Sequence, residues 1–407
     1  MTLSEIKDLF PSLDRKVYGK PLVYLDNAAT SLRPLPVIEK WEEMALEKNA
    51  NIHRAVHAKA VEATEEFEAT RDFVKDFINA GSREEIIFTS GTTASVNLLA
   101  YSFGEAIINP GDEILVSESE HHSDIVPWQL MAGRKGAVVK SFPVSDDGTI
   151  DLQRLRENLS KRTKLVCCTH ISNVLGIINP IKDIVTICHS VGCPVFCDGA
   201  QGIAHSVVDV REMDVDFYAF SGHKVYAATG TGVLYGKKTW LEKMPPYMGG
   251  GEMIESVSFA ETTFAPLPGK FEAGTQNINA IPTLKPALEL ARRMCSPETE
   301  NEQREIVRFV CDEFAKDARI RLYGAPADME KKIPLFSFTV EGAHHEDLAL
   351  ILDKLGVAVR SGQMCAEPLM DRFAVSGMVR ASFAPYNTMD DARAFIKALH
   401  RAIEMLV

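Results

Sequence analysis

From residue 20 to about 240, short apolar, β-branched runs alternate with longer stretches of helical periodicity. The runs are Leu22–Asp26, Glu85–Thr89, Glu113–Ser117, Ala137–Phe142, Lys164–Thr169, Pro194–Asp198 and Asp216–Phe220. Helices are expected between them over Thr92–Ile107, Ile125–Lys135, Asp151–Leu159 and Ile181–Val191. Val, Ile, Leu and Phe fill several runs almost continuously, as strands buried on both faces of a mainly parallel sheet require. The alternation predicts an α/β layered domain.

Between Pro245 and Gly274 the pattern breaks into Gly, Pro and Thr, which predicts an extended loop or hairpin. A helical pattern then runs from about Ala280 to Met294. Beyond it, helices over Glu300–Lys316, Glu346–Leu355 and Asp390–Leu406 mix with strands near Leu335–Val340, Val357–Arg360 and Met378–Phe383. That mixture predicts a smaller α+β domain. A short helix over Ser4–Phe10 fits either domain. The division adopted is an N-terminal segment 1–20 packing with the small domain, a large domain 21–290 and a small domain 291–407.

With 407 residues, 46% of them apolar and 25% charged, the chain has the composition of an ordinary globular protein of two unequal domains. The net charge of −12 disfavours nucleic-acid binding, because no basic excess exists to neutralise phosphates. No apolar stretch is long enough to span a bilayer, and the first residues lack a signal-peptide pattern. The eight cysteines have no framework spacing, so free thiols in a cytoplasmic setting are expected. Cys188, His189, Cys193 and Cys197 do not match a paired zinc motif, and no metal site is expected. The adjacent Cys167 and Cys168 should face opposite sides of a strand.

In open α/β sheets, ligands bind beyond the carboxyl ends of the strands. Five runs lead into polar clusters there: Ser90-Gly-Thr-Thr93, Glu120-His-His122, His170-Ile-Ser-Asn173, Asp198-Gly-Ala-Gln201 and Ser221-Gly-His-Lys224. One such cluster would be an ordinary polar loop; five on one edge point to a shared site. Thr92 and Thr93 open a helix, where amides and hydroxyls suit an anion, although a plain N-cap uses the same residues. Neither a P-loop nor a dinucleotide glycine motif occurs. Asp198 suits a helix cap, a buried cation or a pyridine nitrogen that must stay protonated. A lysine at a strand end is usually solvated, but a desolvated amine such as Lys224 can form an imine with an aldehyde.

These residues, in this order, resemble the class V aminotransferase group of pyridoxal-phosphate enzymes, and within it the cysteine desulfurases. The stretch Asp216-Phe-Tyr-Ala-Phe-Ser-Gly-His-Lys224, followed by Thr229-Gly-Thr-Gly232, looks like their cofactor-lysine signature. Tyr24-Leu-Asp-Asn-Ala-Ala-Thr30, Asn51-Ile-His-Arg54, Ile125-Val-Pro-Trp-Gln129 and Phe271-Glu-Ala-Gly-Thr275 extend the likeness over nearly the whole chain. It implies an aspartate-aminotransferase-like fold, with a helix-flanked, mainly parallel seven-stranded sheet and a smaller C-terminal α+β domain. It also implies pyridoxal phosphate held as a Schiff base on Lys224. Asp198 would pair with the ring nitrogen, Gln201 would reach the ring oxygen and His121 would stack on the ring. Thr92, Thr93, Ser221 and His223 would bind the phosphate, completed in a homodimer by Thr275 of the neighbouring subunit. Asn173 and Arg380 would hold the substrate carboxylate, Arg360 would also bind substrate, and His53 would line the entrance.

Arg360-Ser-Gly-Gln-Met-Cys365-Ala resembles the short catalytic loop of type II desulfurases. A lone cysteine is more often an apolar filler. Cys365, between Gly362 and Pro368, is instead expected to be exposed and reactive. The implied reaction converts L-cysteine to L-alanine and leaves a persulfide on Cys365. A carrier protein would take the sulfur for iron–sulfur cluster assembly. Selenocysteine lyase, acting on L-selenocysteine, and other class V reactions are the alternatives. A free thiol, with pKa about 8.5, needs help to ionise, and Arg360 and His121 are the candidates. Three departures stand out: Met364 where many relatives carry histidine, Gln276 where proline is common, and Ala227-Ala228 in place of a frequent Gly-Pro.

Overall fold

A computed structural model describes all 407 residues. Seven strands form the central sheet, in the spatial order Ile86–Thr89, Gly232–Gly236, Phe217–Ser221, Val195–Asp198, Thr163–Thr169, Glu113–Ser117, Val138–Phe142. Neighbours from Phe217–Ser221 to Val138–Phe142 run parallel, whereas Gly232–Gly236 is antiparallel to both strands beside it. Alternate side chains enter two apolar clusters, one on each face of the sheet. Cys168, Cys197 and Phe220 join one; Cys167, Phe196 and Phe217 join the other. The adjacent cysteines therefore do face opposite sides.

One expected strand belongs elsewhere. Val23–Tyr24 pairs in parallel with Val357–Ala358, and Val23 and Leu25 are buried in the small-domain cluster. Its place in the large sheet is taken by Gly232–Gly236. An apolar run shows that a strand will be buried but not which strand it will pair with. The N-terminal helix Leu3–Asp8 lies against both domains, with Lys7 Nζ 3.8 Å from Asp391 of the small one. Its buried Ile6, with Phe10 just beyond, joins the larger cluster, and the Phe10 ring lies 4.5 Å from that of Tyr386.

The two largest clusters interleave along the chain, the first reaching from Ile6 to Tyr386 and the second taking Val23 and Leu25 beside its residues from Ile306 onward. Helix Leu284–Met294 covers the first cluster; helix Pro297–Ala315 covers the second. The second surrounds a four-stranded antiparallel sheet, in the order Ile320–Tyr323, Leu335–Val340, Met378–Ser382, Arg360–Gly362. Helices His345–Lys354 and Met389–Leu406 complete this layer. The 245–274 stretch contains an exposed hairpin, Ile254–Val257 against Thr262–Phe264, with Phe259 fully exposed near its tip.

Candidate active site

The carboxyl ends of the large-domain strands open on a cavity of about 200 Å³, which the Cys365 loop of the small domain closes from the other side. Thr92, Thr93, His121, Asn173, Asp198, Ser221, His223, Lys224, Arg360, Cys365 and Arg380 all line it.

At one end hydroxyls gather. The Thr92 N–H donates to Ser221 Oγ (2.8 Å), and the two side-chain oxygens are also 2.8 Å apart. Gly91, just before this helix, has φ +147. A Cβ on Gly232 would sit 2.4 Å from the Gly91 Cα, so the loop lies flat on the strand because both residues are glycine. Asp198 lies deeper, buried, with Oδ1 accepting the Ala200 N–H at 2.8 Å. Burial raises its pKa while the Lys224 charge pulls it down. For Lys224, burial lowers the amine pKa and Asp198 opposes that shift.

His121 Nδ1 accepts the Ser123 N–H at 3.0 Å, which places the ring proton on Nε2. Burial, helped by Lys224, drives its pKa down to about 3. The imidazole is therefore neutral at working pH. A neutral ring carries no charge to hold a thiolate. The basic side chains that share the cavity with Cys365 are Arg360, Arg380 and Lys224.

Arg380 is only 2% exposed. Its Nη1 donates to the Asn173 carbonyl at 2.8 Å, and Nη2 stands 3.4 Å from Asp26 Oδ1. The buried Nε has no partner. Desolvation brings the guanidinium down to about 10, as befits a charge only partly compensated. That unsatisfied edge suits a substrate carboxylate.

Met364 and Cys365 both have left-handed φ, 54° and 56°, which turns the loop toward the cavity. Cys365 is exposed. Three hydrogen bonds hold the loop. Asn173 Nδ2 donates to the Met364 carbonyl (2.9 Å), the His122 N–H donates to the Cys365 carbonyl (2.7 Å), and His122 Nε2 accepts the Glu367 N–H (2.9 Å).

Residues 23–395 match the family described as Aminotransferase class-V. The chain belongs to that family. A probable cysteine desulfurase of Vibrio cholerae serotype O1 is 44% identical over 406 residues, covering 100% of both chains. A cysteine desulfurase of Cronobacter sakazakii is 41% identical over 406 residues, covering 100% of this chain and 99% of the relative. Among solved structures, the cysteine desulfurase CsdA from Escherichia coli superposes with a TM-score of 0.92 at 38% identity, covering 100% of each chain. The apo enzyme from Thermococcus onnurineus NA1 gives 0.91 at 35% identity, covering 98% of this chain and 99% of that one. These likenesses set this class-V member among the cysteine desulfurases.

Its residues fit the cofactor that the family implies. A hydroxyl-rich helix start stands at one end of the cavity, a buried carboxylate lies deeper, and a desolvated lysine amine opens on the same space. Three expected site residues lie outside this cavity. Gln201 is buried and donates from Nε2 to the Ala28 carbonyl (2.8 Å). His53 is instead 3.0 Å from Glu68 Oε1, drawn away by the carboxylate of the neighbouring helix. Thr275 is exposed and lines a different cavity of this class-V chain, beside Phe271 and Gln276.

Four partners of the site carried no sequence signal of their role. His122 was legible only as a neighbour of His121. Asp26 reaches Arg380 and, at 3.9 Å, Arg360 because its strand joined the small domain. Asp124 and Glu120, both fully buried beside Asp198, each keep one carboxylate oxygen without a hydrogen-bond partner, and burial raises the pKa of both. The remaining oxygen of each is tied, Asp124 Oδ1 to Trp128 Nε1 and Glu120 Oε1 to the Thr169 N–H, both at 2.8 Å.

Proposed function

We propose that the chain is a pyridoxal-phosphate-dependent cysteine desulfurase, converting L-cysteine to L-alanine with a persulfide on Cys365. One observation carries this reading: a lysine amine and an exposed thiol open on the same small cavity as a buried arginine with an unsatisfied edge. Lys224 would hold the cofactor covalently, with Asp198 at the ring nitrogen, His121 on the ring face, and Thr92, Thr93, Ser221 and His223 at the phosphate. Pyridoxal phosphate supplies an electron sink that makes the substrate Cα proton acidic.

The protein's own groups do the rest. Arg380 and Asn173 orient the substrate carboxylate, which fixes the substrate sulfur relative to the loop. The Lys224 amine, whose pKa burial lowers, carries the Cα proton. The Cys365 thiolate attacks the substrate sulfur. The new sulfur–sulfur bond forms as the carbon–sulfur bond breaks, the electron pair stays with carbon, and the protonated carbon leaves as alanine. Because Cys365 is exposed, a carrier protein can then collect the outer sulfur, and iron–sulfur cluster assembly is its proposed destination. A homodimer would bring Thr275 of the neighbouring subunit to the phosphate.

The test incubates wild type and Cys365→Ser, each loaded with pyridoxal phosphate, with L-cysteine, and follows alanine, sulfide and protein-bound persulfide. Persulfide on Cys365 in wild type and none in the variant is the expected result. Wild-type sulfur release from Cys365→Ser would overturn the reading.

A further inference from the structure

The loop that carries Asn173 is fastened to the small domain by an unusual series of contacts. Its four successive carbonyls each accept a hydrogen bond from that domain. Arg380 Nη1 donates to Asn173 (2.8 Å), Ser337 Oγ to Val174, Lys332 Nζ to Leu175 (2.8 Å), and the Ile333 N–H to Gly176 (2.9 Å). Gly176, at φ +67, has no room for a side chain, since a Cβ there would meet Leu335 at 3.0 Å.

Lys332 is the least expected member of this series. Only 5% of it is exposed, burial pulls its amine down to about 8, and no carboxylate pairs with it. An apolar side chain would fill the same space without the cost of burying an ammonium group. The Leu175 carbonyl is the one hydrogen-bond partner of the Lys332 amine within the chain, with the Phe336 ring 5.6 Å away. From Leu175 the chain leads back two residues to Asn173, whose side-chain amide holds the carbonyl beside Cys365.

We propose that Lys332 is a positioning residue for sulfur transfer: by holding the Leu175 carbonyl it sets Asn173, and through Asn173 the placement of Met364 and Cys365. This inference rests on the desulfurase reading above. Lys332 touches neither substrate nor cofactor, so it acts on where the thiol and substrate carboxylate meet rather than on cofactor binding. A small misplacement at such a meeting costs rate steeply.

The experiment compares cofactor-loaded wild type, Lys332→Met and Lys332→Arg. Arginine keeps a donor and has room in the neighbouring interdomain cavity of about 350 Å³ that Lys332 lines. Single-turnover persulfide formation on Cys365, the KM for L-cysteine, cofactor occupancy by visible absorbance and Tm are all read. Lys332→Met is expected to lose about tenfold to a hundredfold in persulfide formation and to raise KM, with occupancy and Tm unchanged. Lys332→Arg is expected to recover most of that loss. Wild-type rate and KM in Lys332→Met would overturn the proposal, as would a rate falling only in step with occupancy and Tm. Should Lys332→Met not fold, Ser337→Ala, which frees the Val174 carbonyl, must show the same separation of rate from occupancy or the proposal fails. Absence of persulfide in wild type would instead remove the desulfurase reading itself.

Discussion

The two halves of the candidate site are built on opposite terms. The large-domain half is set by the sheet: Asp198 and Ser221 end buried strands, and Thr92 opens the helix after another. The small-domain half is an exposed loop whose cysteine takes a left-handed φ and which leans on three hydrogen bonds. A group that must keep a ring in one orientation benefits from rigid, dry surroundings. A thiol that meets first a substrate and then an acceptor must remain within reach of both. The contrast teaches that cofactor binding and sulfur transfer should be separable by mutation.

The sharpest separation is expected from Cys365→Ser. Persulfide should vanish while the bound cofactor's visible spectrum stays that of wild type; a changed spectrum would show that the halves are not independent. On the other side, Lys224→Ala should lower turnover by about 10²- to 10⁴-fold and abolish the borohydride-reducible linkage to the cofactor. Next comes His122→Ala, which removes the acceptor of the Glu367 N–H. Persulfide formation should slow by about tenfold with cofactor occupancy intact, as measured by rapid quench.

The smallest effect concerns the buried acids and is read in stability. Glu120 rises from an ordinary 4.5 to about 7, and Asp124 rises well above its ordinary 3.8, because burial disfavours their charge. Both folded values exceed the unfolded ones. Their contribution to stability is therefore full at pH below about 4 and is lost as pH climbs through 7. Asp124→Asn should gain on wild type in Tm between pH 5 and pH 9, by the equivalent of about 1–3 kcal/mol. A Tm difference that stays flat with pH would refute that burial holds these acids protonated.

Six of the seven expected strands lie in the large sheet, because continuous apolar runs leave few alternatives to two-sided burial. Gly232–Gly236 escaped notice because glycines frame only three apolar residues, so its signal was brief. Leu22–Asp26 was legible as a strand but not as a partner of Val357–Ala358, more than 300 residues away. The site divides in the same manner. Lys224, Asp198, Thr92 and Cys365 are side chains whose chemistry can be read directly from their type and neighbours. Lys332, Ser337 and Asp26 act through backbone carbonyls or through another domain, and such roles leave no mark in local sequence.

The amino-acid order thus determined the layers of the fold, the strand ends at which polar chemistry gathers, and the family. Hydrophobic period and short motifs are local properties that survive without knowledge of contacts. Only the tertiary structure decided which strand left the large sheet and that His121 is held neutral. It alone showed that four carbonyls in a row bind the active-site loop to the small domain. Each of these depends on burial and on pairing between distant segments, which no local pattern encodes.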